Sequence, residues 1–338
     1  MMAGRDLRIF GKCRARVVLR LAGVAACSVV LLAACGHRSP AVGPLREVTV
    51  VTDHWVEVEE AVRGTLQRPQ ATPQLEPEFE LRVFSPAEYR TWSLFRTVLL
   101  IGPVGDSIVH GVLGPRADSL PETDFALFRV PNPWADNQEL LVFAVSADTL
   151  LVPGLERYAD RIHLTCRQAV LRHVARAVYH RGLNQPATDS LREEFAFSLD
   201  VPRSWWLDRS AADSGFVFAF GHYPDRNVFV YWEEGERPLE SGPLFELRDR
   251  LSRRYYDGDF VPDTLRESRF IEFLADSCLR LQGIWQNREH AIGGPFVSYG
   301  FNHQGRFFLL DGLVFNPGRK KLDGLIQAEA VMRTFTPR

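Results

Sequence analysis

The chain has 338 residues, 46% of them hydrophobic and 24% charged, with a formal net charge of −2. About two domains fit that length, the composition excludes a disordered chain or a coiled coil, and the charge balance leaves no basic footprint for nucleic acid. Glycines and prolines are scattered without period, which also excludes collagen-like and low-complexity readings.

In chain order, the first segment is an address. Residues 1–20 carry Arg5, Arg8, Lys12, Arg14, Arg16 and Arg20 against the single acid Asp6, and Leu21 to Ala34 is uncharged. A transmembrane helix needs about 20 apolar residues, so this shorter run with basic flanks reads as a secretory signal peptide over residues 1–34. It ends in Leu32-Ala33-Ala34-Cys35-Gly36, which resembles the bacterial lipobox. That resemblance implies lipidation of Cys35, cleavage before it, and a short lipidated tether over 35–45. The alternative is an ordinary export signal followed by an incidental cysteine. Gly36, where retained inner-membrane lipoproteins carry Asp, implies the outer membrane, facing the periplasm. Two or more acyl chains hold a protein on a membrane where one does not. Losing residues 1–34, with six basic residues and one acid, leaves a net charge of −7. An acidic body disfavours a direct grip on anionic lipid or nucleic acid.

From Arg46 the pattern alternates strand and helix. Arg46–Thr52 is β-branched and predicts a strand, with Asp53 as N-cap of a helix marked by Trp55, Val58, Val62 and Leu66. A Pro-rich break over Pro69–Pro77 precedes a strand at Phe79–Val83, and Pro86 opens a short helix. Thr97–Ile101 and Leu140–Val145 are continuous apolar runs, expected of buried strands. Ile108–Leu113 and Phe125–Val130 suggest a hairpin between them. Leu155–Arg181 carries a helical stripe through Ile162, Cys166, Val170 and Val174 and stops at Gly182. Residues 46–183 thus predict an α/β domain.

Asn184–Asp189 reads as a turn-rich break and the domain boundary. Residues 190–338 then hold mostly consecutive strands: Phe195–Val201, Phe216–Phe220, Val228–Trp232, Arg269–Leu274, Leu279–Trp285, Phe296–Phe301 and Phe307–Phe315. Asp225-Arg226-Asn227 and Asn302-His303-Gln304-Gly305 suggest hairpin turns, and Phe245–Tyr255 and Leu322–Phe335 suggest helices. The expected class is α+β, an N-terminal α/β unit followed by an antiparallel-sheet domain flanked by helices. Beyond the signal, Cys166 and Cys278 form an even pair in an oxidising compartment. A disulfide is one reading. Burial as free thiols is favoured, because Cys166 lies on the apolar stripe.

Several segments carry a family resemblance: Glu47–Val51 with Trp55, Gln74–Phe79, Trp134–Gln138, Gly283–Trp285, Gly293–Tyr299 and Phe315–Lys321. Together they resemble the DUF4837 lipoproteins, a family of unknown function, over nearly the whole chain after the signal. The family supplies no established activity, so no catalytic residues carry over from it, and no cofactor is expected. A looser, topological similarity links the second half to PsbP/Mog1-like domains, which are mostly binding or assembly modules.

Two function classes follow. Gly105-Asp106-Ser107 after a buried strand is similar to the nucleophile block of SGNH ester hydrolases, with Asp160 and His163 as an acid–x–x–His pair. Against it, Ile108–Arg116 holds two glycines and a proline where a helix is required, and no oxyanion-donor block is present. The other class is a non-catalytic envelope module that binds a protein partner. For it the candidate surface is Glu289, His290, Gly293, Gly294 and Pro295, with Trp285 and Tyr299, on a loop joining two predicted strands. His173 and His180 stand seven apart, about 10 Å along a helix, and no cysteine–histidine spacing matches a metal site. Trp205, Trp206, Trp232 and Trp285 line a pocket only if the fold makes them converge.

Overall fold

The computed structural model describes residues 38–121, 124–195, 197–256, 258–274 and 276–338. The expected signal peptide and Cys35 lie outside them. The class is α+β, as the strand and helix pattern implies.

The first half contains β1 (Glu47–Val51), α1 (Trp55–Leu66), β2 (Glu80–Phe84), β3 (Thr97–Pro103), α2 (Ser107–Leu113), β4 (Phe125–Pro131), β5 (Glu139–Val145) and α3 (Leu151–Val178). Its sheet runs β2-β1-β3-β5-β4, parallel except for β4, which is antiparallel to β5. Parallel strands are covered on both faces, which is why they read as unbroken apolar runs. Leu99, Ile101, Leu141 and Phe143 join the core cluster of α1 and α3. Val98, Leu100, Leu140 and Val142 join that of α2 and Trp92.

Two local expectations change here. Residues 107–113 form a helix instead of a hairpin strand, because Val109 and Leu113 bury against the sheet. That burial outweighs the penalty of about 1 kcal/mol for Gly111. Asp53 does not cap α1. Its carboxylate accepts from Ser85 Oγ at 2.9 Å, and His54 occupies the N-cap position.

Helix α3 has 28 residues and so spans about 42 Å. Ile162, Cys166, Ala169, Val170 and Val174 are its buried stripe. Gly182, at φ +84°, follows its end. Cys166 and Cys278 are both buried free thiols.

The segment expected to be a break is instead α4 (Gln185–Glu194). Asn184 Oδ1 accepts from Ala187 N, and Pro186 sits in the first turn. Helix starts and turns draw on the same Asn, Pro and Asp, so the local sequence does not separate them.

The second half contains β6 (Trp206–Asp208), β7 (Phe216–Gly221), β8 (Asp225–Glu234), α5 (Ser241–Tyr255), β9 (Arg266–Phe273), β10 (Asp276–Gln286), β11 (Gly293–His303), β12 (Arg306–Phe315) and α6 (Leu322–Met332). The seven strands form one antiparallel sheet in the order β9-β10-β11-β12-β8-β7-β6. Phe195–Val201 contributes only Phe197–Ser198, paired with Thr336–Pro337. The β7–β8 turn falls at residues 222–224, before the expected tripeptide. Gln304 and Gly305, both at positive φ, make the β11–β12 turn.

Helix α5 shares a core cluster with one face of this sheet, including Phe216, Phe229, Leu279, Phe296 and Leu309. Helix α6 packs on the other, with Val228, Val297, Phe308 and Leu310 in its cluster. The two large sheets share no ladder, but α3 packs against both α1 and α6. One apolar cluster therefore runs from Val48 to Phe335 through both halves. Among the described residues no helix is long and apolar enough to cross a membrane.

Candidate functional site

The loop at residues 287–292 joins β10 to β11, and Asn287 shapes it. Its Oδ1 accepts from Glu289 N at 2.9 Å and His290 N at 3.0 Å, while its amide donates to Asp259 Oδ1 at 2.8 Å. Phe260 and Gln286 exchange backbone hydrogen bonds of 2.9 and 2.8 Å. A Cβ on Gly293 would stand 2.6 Å from Trp285 O, and one on Gly294 only 2.0 Å from Val314 O. Both positions therefore exclude a side chain because neighbouring backbone comes too close. Pro295 pairs with Ile284, and the ladder to β12 starts one residue later at Phe296. Its missing N–H thus falls where β11 has a single neighbour.

Beside this loop is a cleft of about 640 Å³, lined by Ile284, Gln286, Ile292, Gly293, Pro317 and Lys321, with Pro73 of the first half across from them. The start of α6 is fixed from the first half as well: Glu76 accepts from Lys321 N at 2.7 Å and Leu322 N at 3.3 Å. Carboxylates are favoured at helix N-termini because they satisfy orphan N–H groups. Arg46 reaches Asp323 at 2.5 Å, and Lys320 reaches Glu80 at 2.7 Å. Residues of three motif segments, Gly283–Trp285, Gly293–Tyr299 and Phe315–Lys321, thus line one cleft, and Glu76 of a fourth, Gln74–Phe79, holds Lys321 on its wall without lining it.

Of the residues singled out in the sequence, Gly293 lines this cleft. Glu289 and His290 are exposed on the loop, off the lining. Trp285 is buried in the α5 cluster, 6.3 Å from the Phe315 ring, with Nε1 unpartnered. Gly294 and Pro295 are buried in the strand. Tyr299 is buried on the opposite sheet face, where its hydroxyl donates to Glu329 at 2.5 Å. The tryptophans do not converge: Trp205 and Trp232 belong to the α6 side, Trp285 to the α5 side, and Trp206 is exposed. Asn287 and Asp259 escaped the sequence reading, whereas Glu76 and Lys321 lie in its motif segments without a role assigned.

The hydrolase constellation is not assembled. Ser107 opens a helix, as such a nucleophile should, but α2 lies on the sheet face opposite α3, which carries Asp160 and His163. His163 Nε2 donates to Glu78 at 2.7 Å. Asp160 is held by Arg68 at 2.8 Å, which lowers its carboxyl below the ordinary value. Among the described residues no group of three or more His, Cys, Asp or Glu is placed to hold a metal ion.

His163 belongs instead to a buried polar chain. Glu78 accepts from His163 and from Arg167, and Arg167 donates onward to Glu329 at 2.6 Å. Glu329 also accepts from Tyr299 and, at 3.4 Å, from Arg333. Burial pushes the Glu78 carboxyl up, but the hydrogen bond from His163 and the charge of Arg167 pull it down further, to about 2. Burial likewise opposes ionisation of Glu329, and Arg167, Arg280 and Arg333 overcome it, holding the group well below the usual range. This chain ties α3, α6 and β11 to the first half.

A two-sheet α+β chain with a cleft at the end of its antiparallel sheet is the class these features define. Residues 184–334 match the family model described as a domain of unknown function, DUF4837. The resemblance read from the second-half motifs stands, while the first-half segments lie outside the matched residues. No curated protein matches the chain. Among solved structures the chain is similar to a Bacteroides thetaiotaomicron VPI-5482 protein, at 14% identity over 42% of this chain and TM-score 0.28. The alignment spans 45% of that protein's length. Cyanobacterial PsbP (CyanoP) from Synechocystis sp. PCC 6803 is similar at 12% identity over 43% of this chain and 89% of its own, with TM-score 0.31. The Saccharomyces cerevisiae Ran-binding protein Mog1p is similar at 9% identity over 43% of this chain and 92% of its own, also with TM-score 0.31.

Proposed function

We propose that this protein is a non-catalytic binding or assembly module of the bacterial cell envelope, anchored through lipidated Cys35 in the outer membrane and facing the periplasm. It engages an envelope protein through the cleft beside residues 287–292 and the exposed loop that carries Glu289 and His290. The observation that supports this reading most is that the motif segments Gly283–Trp285, Gly293–Tyr299 and Phe315–Lys321 line one cleft. The two halves are two domains in this reading, joined through α3 and α4, and the cleft lies where they touch.

The anchor has its own test. Cys35→Ser is expected to move the protein to the soluble fraction or leave it unprocessed. Retention in the membrane at the mature size would refute the anchor without touching the cleft. For the cleft, mild crosslinking in membranes should trap a reproducible envelope protein, and Glu289→Ala with His290→Ala should abolish that adduct. An unchanged adduct reduces the loop to architecture.

A further inference from the structure

A second cleft, of about 490 Å³, opens between α3, β9 and the end of α6. Four arginines line it: Arg167, Arg269, Arg280 and Arg333. The strand register sets two of them against each other, since Arg269 on β9 is directly opposite Arg280 on β10. Like charges facing each other across an antiparallel pair are destabilising. Arg280 is only 5% exposed, yet its Nε has no hydrogen-bond partner. Among the described residues its side-chain hydrogen bond goes to the neutral Gln282. Glu329 feels the charge of Arg280 but makes no hydrogen bond to it, and a buried guanidinium with an unpartnered N–H is costly to keep.

The carboxylates at hand are already committed. Glu329 is shared by Arg167 and Arg333, and Glu78 by Arg167 and His163. Glu272 stands at the exposed mouth. Burial first, then the charges of Arg280 and Arg167, lower the Arg269 guanidinium from its ordinary value, while Glu78 and Glu329 offset part of that. The rest of the wall is apolar and partly open: Leu164 is 54% exposed and Leu274 37%.

We infer that this cleft is a binding site for an amphiphilic anion, a phosphate or carboxylate head seated between Arg269 and Arg280 with an apolar body along Leu164, Leu171 and Leu274. Planar guanidinium groups match such heads with paired hydrogen bonds. The anion supplies the counter-charge that the fold leaves out, and the leucines select against bare inorganic ions. The same head-and-body chemistry describes a lipid headgroup and a soluble ester.

The test is titration of the full-length protein in non-ionic detergent with phenyl phosphate, followed by calorimetry. Binding that weakens with salt is expected, and phenol and inorganic phosphate should each bind more weakly than phenyl phosphate. Arg269→Gln and Arg280→Gln should each weaken it by about tenfold or more. Arg269 is at the exposed end, so its variant keeps the test open if the buried Arg280→Gln fails to fold. Relief of the Arg269–Arg280 repulsion should leave the ligand-free melting temperature of Arg269→Gln equal or higher. Doping the micelles with phosphatidic acid separates the sources: displacement of phenyl phosphate assigns the site to a lipid headgroup, undisturbed binding to a soluble ester. No binding at millimolar phenyl phosphate, or unchanged affinity in Arg269→Gln, overturns the inference.

Discussion

On the α5 face of the seven-stranded sheet, Arg248 and Asp311 are both fully buried and joined by two hydrogen bonds of 2.7 and 3.3 Å. Ser298 Oγ donates to the same carboxylate at 2.5 Å, and the Arg248 guanidinium lies 3.7 Å from the centre of the Phe296 ring. On the α6 face, Glu329 and Tyr299 are similarly buried, but their partner Arg167 is only partly so and, with Arg269 and Arg333, lines an open cleft. One network balances one cation against one anion away from solvent, leaving Arg248 Nη1 unpartnered. The other carries more arginines than carboxylates and meets solvent. Burial of charge is therefore no sign of function by itself; an unbalanced charge with an opening beside it is.

The sharpest way to break this comparison is to cut the closed pair. Arg248→Ala strands Asp311 in a dry core and should cost about 3–5 kcal/mol in denaturant unfolding. A loss below 1 kcal/mol would mean that water reaches this face too. On the open face, Glu329→Gln keeps the shape and removes the charge. It should cost less, about 1–3 kcal/mol, because Arg333 can turn to water through the cleft. Equal losses at the two sites would erase the distinction between them.

Acid titration extends the comparison to α3. His173 is buried with neither ring nitrogen hydrogen-bonded. Burial, then Arg96, Arg176 and Arg172, lower its value from 6.5 to about 4. A lowered folded value means that its contribution is complete above pH 6.5 and is lost as pH falls toward 4. The loss should reach roughly 2–3 kcal/mol. His173→Leu should flatten stability between pH 6.5 and 4.5, a window above the range where Glu78 begins to protonate. A slope unchanged by the substitution would place the titration elsewhere. The smallest effect belongs to the exposed loop: Glu289→Ala with His290→Ala should leave stability within about 0.5 kcal/mol, so that any lost crosslink reports on binding alone.

The apolar runs at Thr97–Ile101 and Leu140–Val145, the alternating second-half strands and the α3 stripe were all legible, because their periods follow from which faces are buried. The Ser107–Leu113 helix and α4 were not. One depended on packing against the sheet, which no local glycine count reveals. The other begins with residues that serve turns equally well. Around the loop cleft, the sequence placed Gly293 and Gly294 on a candidate docking surface. The structure shows backbone oxygens of Trp285 and Val314 crowding Gly293 and Gly294.

By itself the sequence determined the class of each half and the motif segments, since each depends on periodicity or on residue order; it favoured burial of Cys166 and Cys278 as free thiols over a disulfide, and the structure shows the free thiols. Only tertiary structure decided that Glu76 caps a helix starting at Leu322, that His163 serves Glu78 and not Ser107, and that Arg269 faces Arg280. Those are pairings between residues brought together by strand register and helix packing, and the free energy that selects them comes from burying whole faces at once, so no local stretch of sequence carries it.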